Sequence, residues 1–127
     1  MFITSIDIGV KNLAIYTEIF DKNWVCSKET PDEVCSIGRC VFLARLDLYQ
    51  EGKCGCRIPD VVYERLKEFF ELHSDILKLS RCVIIEEQLY AFNKIAPQMA
   101  AMIKMYLMTV YPMMSVIFVS LGWDILC

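Results

Sequence analysis

One stretch near the start of the chain decides the fold: Ser5-Ile6-Asp7-Ile8-Gly9-Val10-Lys11-Asn12-Leu13-Ala14-Ile15-Tyr16. Its apolar residues on both sides of a single acid predict a buried strand, a turn and a second strand that returns beside the first. On a core strand Asp7 would lose its water, so we expect it to be paired, hydrogen-bonded or bound to a cation. Gly9 has no side chain, so a ligand can approach the backbone there and the turn can adopt unusual dihedral angles. Taken alone, the pattern is explained equally well by an Asp7 without a functional role, which closes the strand and caps a hairpin.

The composition predicts one folded domain built from layers. The 127 residues suffice for a single hydrophobic core. A hydrophobic content of 56% and a mean hydropathy of +0.41 favour an α/β fold whose sheet is covered on most faces. The net charge of −3 at pH 7 provides no global attraction to nucleic acid. A DNA-binding surface would therefore have to be a local basic patch.

The seven cysteines point to a reducing, intracellular compartment. Several lie inside apolar runs, as Cys40 and Cys82 do, where a free thiol acts as a small hydrophobic side chain. Asp7 interrupts the N-terminal apolar run, so no secretory signal is predicted. A zinc site would draw on Cys35, Cys40, Cys54 and Cys56. The Cys-x-Cys spacing in that set lacks the Cys-x-x-Cys knuckle, so the free-thiol interpretation is favoured.

The periodicity of the apolar residues places the remaining elements. Strands are predicted over residues 1–8, 13–19, 40–46 and 115–120, and helices over residues 60–79 and 93–111. The Met-rich stripe of the second helix indicates core or a subunit interface rather than a cofactor site. Residues 105–121 carry no charge, but Pro112 splits them into pieces too short to span a bilayer, so no membrane association is predicted.

A second informative stretch is Arg81-Cys82-Val83-Ile84-Ile85-Glu86-Glu87-Gln88. Its apolar, partly β-branched run leads straight into acids, as a buried parallel strand does when it delivers a carboxylate at its carboxyl end. If this strand lies beside the first, Glu86 and Asp7 meet at the edge of the sheet where ligands bind in open α/β folds. A divalent cation ordinarily offsets the repulsion between two such carboxylates.

The two acidic stretches together resemble the RNase H-like nucleases, and most closely the Holliday junction resolvases of the RuvC superfamily in the branch found in poxviruses and fungal mitochondria. In that branch one strand reads much like Ser-Ile-Asp-Ile-Gly-Val-Lys-Asn-Leu-Ala and a later one much like Val-Ile-Ile-Glu-Glu-Gln. The order of the motifs and the helix between them also match. The resemblance covers most of the chain.

The resemblance implies a mixed five-stranded sheet with helices on both faces, a homodimer, and Mg²⁺-dependent cleavage of four-way DNA junctions. Asp7 and Glu86 match the family's first two metal-binding acids, and Mn²⁺ is the alternative ion. Carboxylates suit this role because Mg²⁺ prefers hard oxygen ligands. Lys11 is a candidate contact to the DNA backbone, with a plain surface lysine as the equal alternative. Gln88 is a weaker candidate for substrate binding. A viral member would act in the host cytoplasm.

A departure from the family pattern at the end of the chain sets the alternatives. Family members continue past the last strand into a further helix with two more acids, whereas here Asp124 is the only acid after Glu87. We therefore expect the fold without its last helix, and weak or absent cleavage. The alternative is a truncated homologue that binds DNA or dimerises without cutting. A third hypothesis, a phosphotransferase or ATPase of the actin and sugar-kinase superfamily, would need a second phosphate-binding hairpin.

Overall fold

The computed structural model describes residues 1–20, 38–52, 55–87 and 94–120. They form a mixed sheet with helices in the connections. The strands are β1 (Phe2–Asp7), β2 (Leu13–Ile19), β3 (Arg39–Leu46), β4 (Ser80–Glu87) and β5 (Ser115–Ser120), and the helices are α1 (Asp60–Leu72), α2 (Ser74–Leu79) and α3 (Ile95–Val110). These elements follow the predicted order, and the bounds differ from the predicted ones by a few residues.

The sheet has five strands in the order β3-β2-β1-β4-β5. The pairs β3–β2 and β2–β1 are antiparallel, whereas β1–β4 and β4–β5 are parallel. The carboxyl ends of β1, β4 and β5 therefore lie at one edge of the sheet, which we call the carboxyl edge. The end of β3 lies at the same edge, because β3 is antiparallel to β2 and β2 is antiparallel to β1.

One hydrophobic core joins the helices to one face of the sheet. Alternate strand residues such as Ile6, Ile15 and Ile85 are buried against it, with at most 1% of their surface exposed. The helical residues of this core are Val62, Leu66, Phe69, Phe70, Leu77, Ile95, Ala96, Met99, Ala100, Ile103 and Leu107. Because side chains alternate along a strand, the intervening residues lie on the opposite face. We call that opposite face the open face, since no described helix belongs to it. Helices on both faces, as the resemblance implies, are thus not seen in the described part of the chain.

The predicted helix over residues 60–79 is two helices. It is interrupted at His73, whose backbone φ of −102° and ψ of 19° leave the helical region. The imidazole packs between the rings of Phe69 and Phe42, at centroid distances of 4.6 and 4.8 Å. The apolar spacing continues across the interruption, since Leu77 is buried in the same core as Phe69. For that reason the periodicity alone predicted one continuous helix.

Three buried hydroxyl groups on the core face of the sheet form a row of hydrogen bonds that connects three strands and a helix. Thr4 on β1 shares hydrogen bonds with Thr17 on β2 at 2.7 Å and with Ser80 on β4 at 2.6 Å. The Ser80 hydroxyl also donates to the carbonyl oxygen of Ile76 at 3.3 Å. All three hydroxyl-bearing residues are at most 5% exposed. Each buried hydroxyl is satisfied, so the chain of hydrogen bonds fixes the strand register without a desolvation penalty.

The turn between β1 and β2 differs in one respect from its prediction. Gly9 is not in the left-handed region; among the described residues only Gly52 is, at a φ of 136°. A Cβ on Gly9 would instead lie 3.3 Å from the carbonyl oxygen of Asn12. The glycine therefore serves the close packing of the turn. Along the described ranges, no helix has the length and apolar character needed to cross a membrane.

Candidate active site

Asp7 and Glu86 come together at the carboxyl edge. In the parallel pair β1–β4, Ile6 lies opposite Ile85 and both side chains enter the core. The next residue of each strand is an acid, and alternation turns both acids toward the open face. The two carboxylates line one shallow cleft of about 210 Å³. Its other lining residues are Ser5, Ile6, Ile84 and Val119. Acids separated by most of the chain thus share one site.

The environments of the two carboxylates differ. Asp7 is exposed, so the expectation that it would be removed from water is wrong. It is the last residue of β1, and the sheet edge leaves it open to solvent. Glu86 is half-buried, and burial followed by the negative charge of Asp7 raises the pKa of its carboxyl group above the usual value. Two carboxylates in mutual repulsion favour either a proton on Glu86 or a shared cation.

The donor set fits a divalent cation that keeps part of its hydration shell. Carboxylate oxygens are the ligands that Mg²⁺ prefers, and one or two protein carboxylates are a usual number for it. Residues 1–20, 38–52, 55–87 and 94–120 contain no group of three or more His, Cys, Asp or Glu side chains placed to hold a metal. Asp7 and Glu86 therefore fit one ion that takes its remaining ligands from water.

The other predicted site residues are placed as follows. Lys11 is exposed in the turn that follows Asp7, at the carboxyl edge. It makes no ion pair with a described residue, so its charge is available at that edge. Gln88 and Asp124 lie outside the described residues, as do Cys35 and Cys54 of the alternative zinc site. The predicted role of Gln88 stays a prediction.

One charged residue near the site was missed by the sequence reasoning. Arg45 lies opposite Ala14 in the β2–β3 pair, and Ala14 lies opposite Asp7 in the β1–β2 pair. The Nη2 atom of Arg45 donates a hydrogen bond to Oδ1 of Asn12, in the turn that follows Asp7. The sequence marks Arg45 only as a single cation near the end of an apolar strand. That signal acquires meaning only when the strand order is known.

Solved structures share this architecture. The crystal structure of the fowlpox virus Holliday junction resolvase superposes with a TM-score of 0.56 at 19% sequence identity, covering 94% of this chain and 61% of the resolvase. Thermus thermophilus RuvC superposes with a TM-score of 0.59 at 14% identity, covering 94% of this chain and 64% of RuvC. The chain shares the fold of these two proteins. The mixed five-stranded, RNase H-like architecture predicted from the sequence is confirmed.

The same comparisons limit what the fold alone implies. The chain spans less than two thirds of the length of either the fowlpox virus resolvase or Thermus thermophilus RuvC. An Aquifex aeolicus Ppx/GppA phosphatase also superposes, with a TM-score of 0.50 at 16% identity, covering 95% of this chain and 36% of the phosphatase. No protein-family model matches the chain, and no curated protein matches it in sequence. The shared sheet therefore does not by itself separate a nuclease from other phosphoryl chemistry.

Proposed function

We propose that this chain is a metal-dependent, structure-selective endonuclease that cuts four-way DNA junctions. One observation carries the proposal: Asp7 and Glu86 line a single cleft at the carboxyl ends of adjacent parallel strands. The fold shared with a Holliday junction resolvase supports the choice of branched DNA as substrate. In this proposal the protein works in a reducing, intracellular compartment, the host cytoplasm for a viral protein.

Asp7 and Glu86 would hold Mg²⁺, or Mn²⁺ as the alternative. Such an ion lowers the pKa of bound water and stabilises charge on the leaving oxygen of a phosphodiester. The chain itself contributes the position of the two carboxylates, which the β1–β4 pairing fixes one strand spacing apart. It also contributes an apolar side to the cleft, since Ile84 and Val119 line it together with Glu86. Glu86 has to be ionised to bind a cation, so its raised pKa makes metal affinity dependent on pH.

The charge of the carboxyl edge supports a nucleic-acid substrate despite the net charge of −3. Lys11 and Arg45 are exposed there, and neither forms an ion pair with a described carboxylate. Lys94 is exposed at the start of α3, which runs back from the carboxyl end of β4 to the beginning of β5. These exposed cations would supply the local positive charge that the composition requires of any DNA-binding surface.

The outward face of α3 supports the homodimer. Ala101, Met105 and Met108 recur at helical spacing opposite the buried face, and Met105 and Met108 are 68% and 53% exposed. The cation nearest this stripe, Lys104, is turned toward the sheet, with its ammonium 4.7 Å from the ring centroid of Phe118. An apolar stripe without acids can meet its own copy across a two-fold axis without like-charge repulsion. A second copy of this chain is therefore the partner we propose for it.

The proposed activity is tested with a labelled four-way junction and its linear duplex control. We expect slow nicking of the junction with Mg²⁺ or Mn²⁺, because the two carboxylates are not joined by a third metal-ligating side chain among the described residues, and none with EDTA. Asp7→Asn and Glu86→Gln should each lower the cleavage rate by at least about a hundredfold, since each removes a ligand from the ion that supplies the chemistry. Glu64→Gln is the matched control, because Glu64 is an exposed acid of α1 outside the site. Junction-independent cutting, or equal rates in wild type and Asp7→Asn, would contradict the proposal.

A second candidate is a protein that binds junctions without cutting them. It is favoured by one observation, that Asp7 and Glu86 are joined by no third metal-ligating side chain among the described residues. Anisotropy measurements on the same junction separate the two candidates. Tight, junction-selective binding with no nicks at any divalent ion concentration would support the binding protein. Titration with ATP in the same buffer tests the phosphotransferase hypothesis, for which we expect no binding.

A further inference from the structure

We infer that Arg45, held in place by Asn12, binds a phosphate of the DNA strand whose scissile phosphate lies at Asp7 and Glu86. The inference rests on the proposed function, since it assigns a substrate contact to the same site. Arg45 lies outside both acidic motifs, and Asn12 lies within the first of them without a role assigned to it there. The assignment comes from the strand register, the hydrogen bonds of the turn and the charge of the carboxyl edge.

The register places Arg45 in line with the candidate site. Asp7 on β1 is directly opposite Ala14 on β2, and Ala14 is directly opposite Arg45 on β3. Residues directly opposite each other point to the same face of a sheet, so Arg45 lies on the open face with the two carboxylates. Two strand spacings separate the backbones of Asp7 and Arg45, or about 10 Å. A DNA strand whose scissile phosphate lies at Asp7 can therefore place a nearby phosphate of the same strand at Arg45.

No large side chain projects from the sheet at the position between Asp7 and Arg45. Ala14, the residue between them, carries only a methyl group, and Leu43 beside Arg45 on β3 is 67% exposed rather than folded over the strand. No bulky side chain at the position opposite Asp7 therefore separates the carboxylates from the guanidinium. A backbone that enters the cleft at Asp7 can continue along this line to Arg45.

The guanidinium is oriented and remains able to bind. Its Nη2 donates to the side-chain oxygen of Asn12, which is a neutral partner. No described carboxylate lies within ion-pair distance of Arg45, and the residue is exposed. Arginine has five N–H donors in a planar fork that matches phosphate oxygens, so one bond to Asn12 leaves donors for a ligand. A phosphate is the ligand class that this charge and geometry fit best.

The turn holds Asn12 relative to β3. The carbonyl oxygen of Val10 accepts a hydrogen bond from the backbone N–H of Leu48 at 2.8 Å, which ties the turn to the chain just after β3. The backbone of Asn12 also packs against Gly9, where an added Cβ would lie 3.3 Å away. Asn12 is thus a positioning residue that acts through Arg45, and its predicted effect disappears when Arg45 is absent.

The test measures junction binding at several salt concentrations with EDTA present, so that no cleavage occurs. Loss of one phosphate contact reduces the slope of log affinity against log salt by about one, and weakens all sequences uniformly. We expect that change for Arg45→Gln. Arg39→Gln is the matched control, because Arg39 is an exposed arginine at the other end of the same strand, about 20 Å away. The control should leave the slope at its wild-type value.

A double-mutant cycle tests the role of Asn12. Asn12→Ala should weaken binding in the wild-type background and have no effect in the Arg45→Gln background, whereas a purely structural role would weaken both equally. Melting curves confirm that each variant is folded. Wild-type binding with an unchanged salt slope in Arg45→Gln would overturn this inference and leave the proposed function standing. Failure of the wild type to bind the junction would overturn both.

Discussion

Glu86 lies beside Asp7 across the β1–β4 pair, and the charge of Asp7 adds to burial in raising the pKa of the Glu86 carboxyl group. The pair therefore destabilises the fold when both groups are ionised and no cation is present. An arrangement that opposes folding and gains nothing from packing is typical of functional sites. This relationship leads directly to a pH dependence of stability.

Glu86→Gln should change how stability depends on pH. A folded-state pKa above the ordinary 4.5 means that the folded protein binds more protons than the unfolded chain above that pH. The stabilisation from the protonated carboxyl is complete below pH 4.5 and is lost as the pH rises through the raised folded-state value. In EDTA we expect the variant to melt higher than wild type at pH 7, with the difference shrinking toward pH 4. Glu64→Gln provides the correction for net charge, and a pH-independent difference for Glu86→Gln would contradict the argument.

Thr4→Val should be markedly destabilising although the substitution keeps the side-chain shape. Thr4 is the central member of the buried hydroxyl chain, so its loss leaves the hydroxyl of Thr17 without that partner and removes one partner of Ser80. A buried group left unsatisfied costs about 1–3 kcal/mol. Denaturant unfolding measures the loss. Thr4→Ser keeps the hydroxyl and should cost less, and the double variant Thr4→Val with Thr17→Val should recover part of the loss. Equal stability of Thr4→Val and Thr4→Ser would show that the hydroxyl chain is not needed.

Phe70→Ala should remove the largest single contribution of α1 to the core. Phe70 is 1% exposed and stacks on Tyr106 of α3 at a centroid distance of 5.4 Å. Truncation of a buried Phe costs about 3–5 kcal/mol through lost transfer energy and the cavity left behind. Leu72→Ala on the same helix is the control, because Leu72 is 77% exposed and should change the unfolding free energy by less than about 0.5 kcal/mol. Similar losses for the two variants would show that α1 does not pack as described.

Met105→Glu with Met108→Glu should convert the proposed dimer into monomers. A specific interface buries about 800 Å² on each partner. The helix that carries the stripe has 16 residues and is about 24 Å long, so the stripe alone is too small for such an interface and would form its centre. Two glutamates at its centre would bring like charges together across the two-fold axis. Sedimentation velocity gives the mass of each species. Leu72→Glu, an exposed apolar residue outside the stripe, should remain dimeric. A wild type that is monomeric at all concentrations would contradict the dimer.

The sequence was most informative where periodicity and chemistry agreed. The apolar runs that end in Asp7 and Glu86 predicted the two strands, and the acids were expected to meet at one edge if those strands were neighbours; the structure confirms that they are. The two motifs are local patterns, and each is legible without knowledge of the tertiary structure. The resemblance implied a mixed five-stranded sheet, whereas the strand order β3-β2-β1-β4-β5 is known only from the structure.

The features that were not predicted depend on contacts between distant residues. Asp7 is exposed because β1 ends at the sheet edge, which an apolar run cannot reveal. The interruption at His73 leaves the apolar spacing intact, so periodicity cannot detect it. Arg45 gains its position relative to Asp7 only through two strand registers.

The central claim is that Asp7 and Glu86 grip one divalent cation, and the most direct test is melting with and without Mg²⁺. An ion at 100 times its dissociation constant stabilises the folded state by about 2.7 kcal/mol, so the wild type should melt higher when Mg²⁺ is added. Asp7→Asn should lose that response while melting at an equal or higher temperature in EDTA, because the repulsion on Glu86 is relieved. Glu64→Gln should respond as the wild type does. A Mg²⁺ response of Asp7→Asn equal to that of the wild type would contradict the claim.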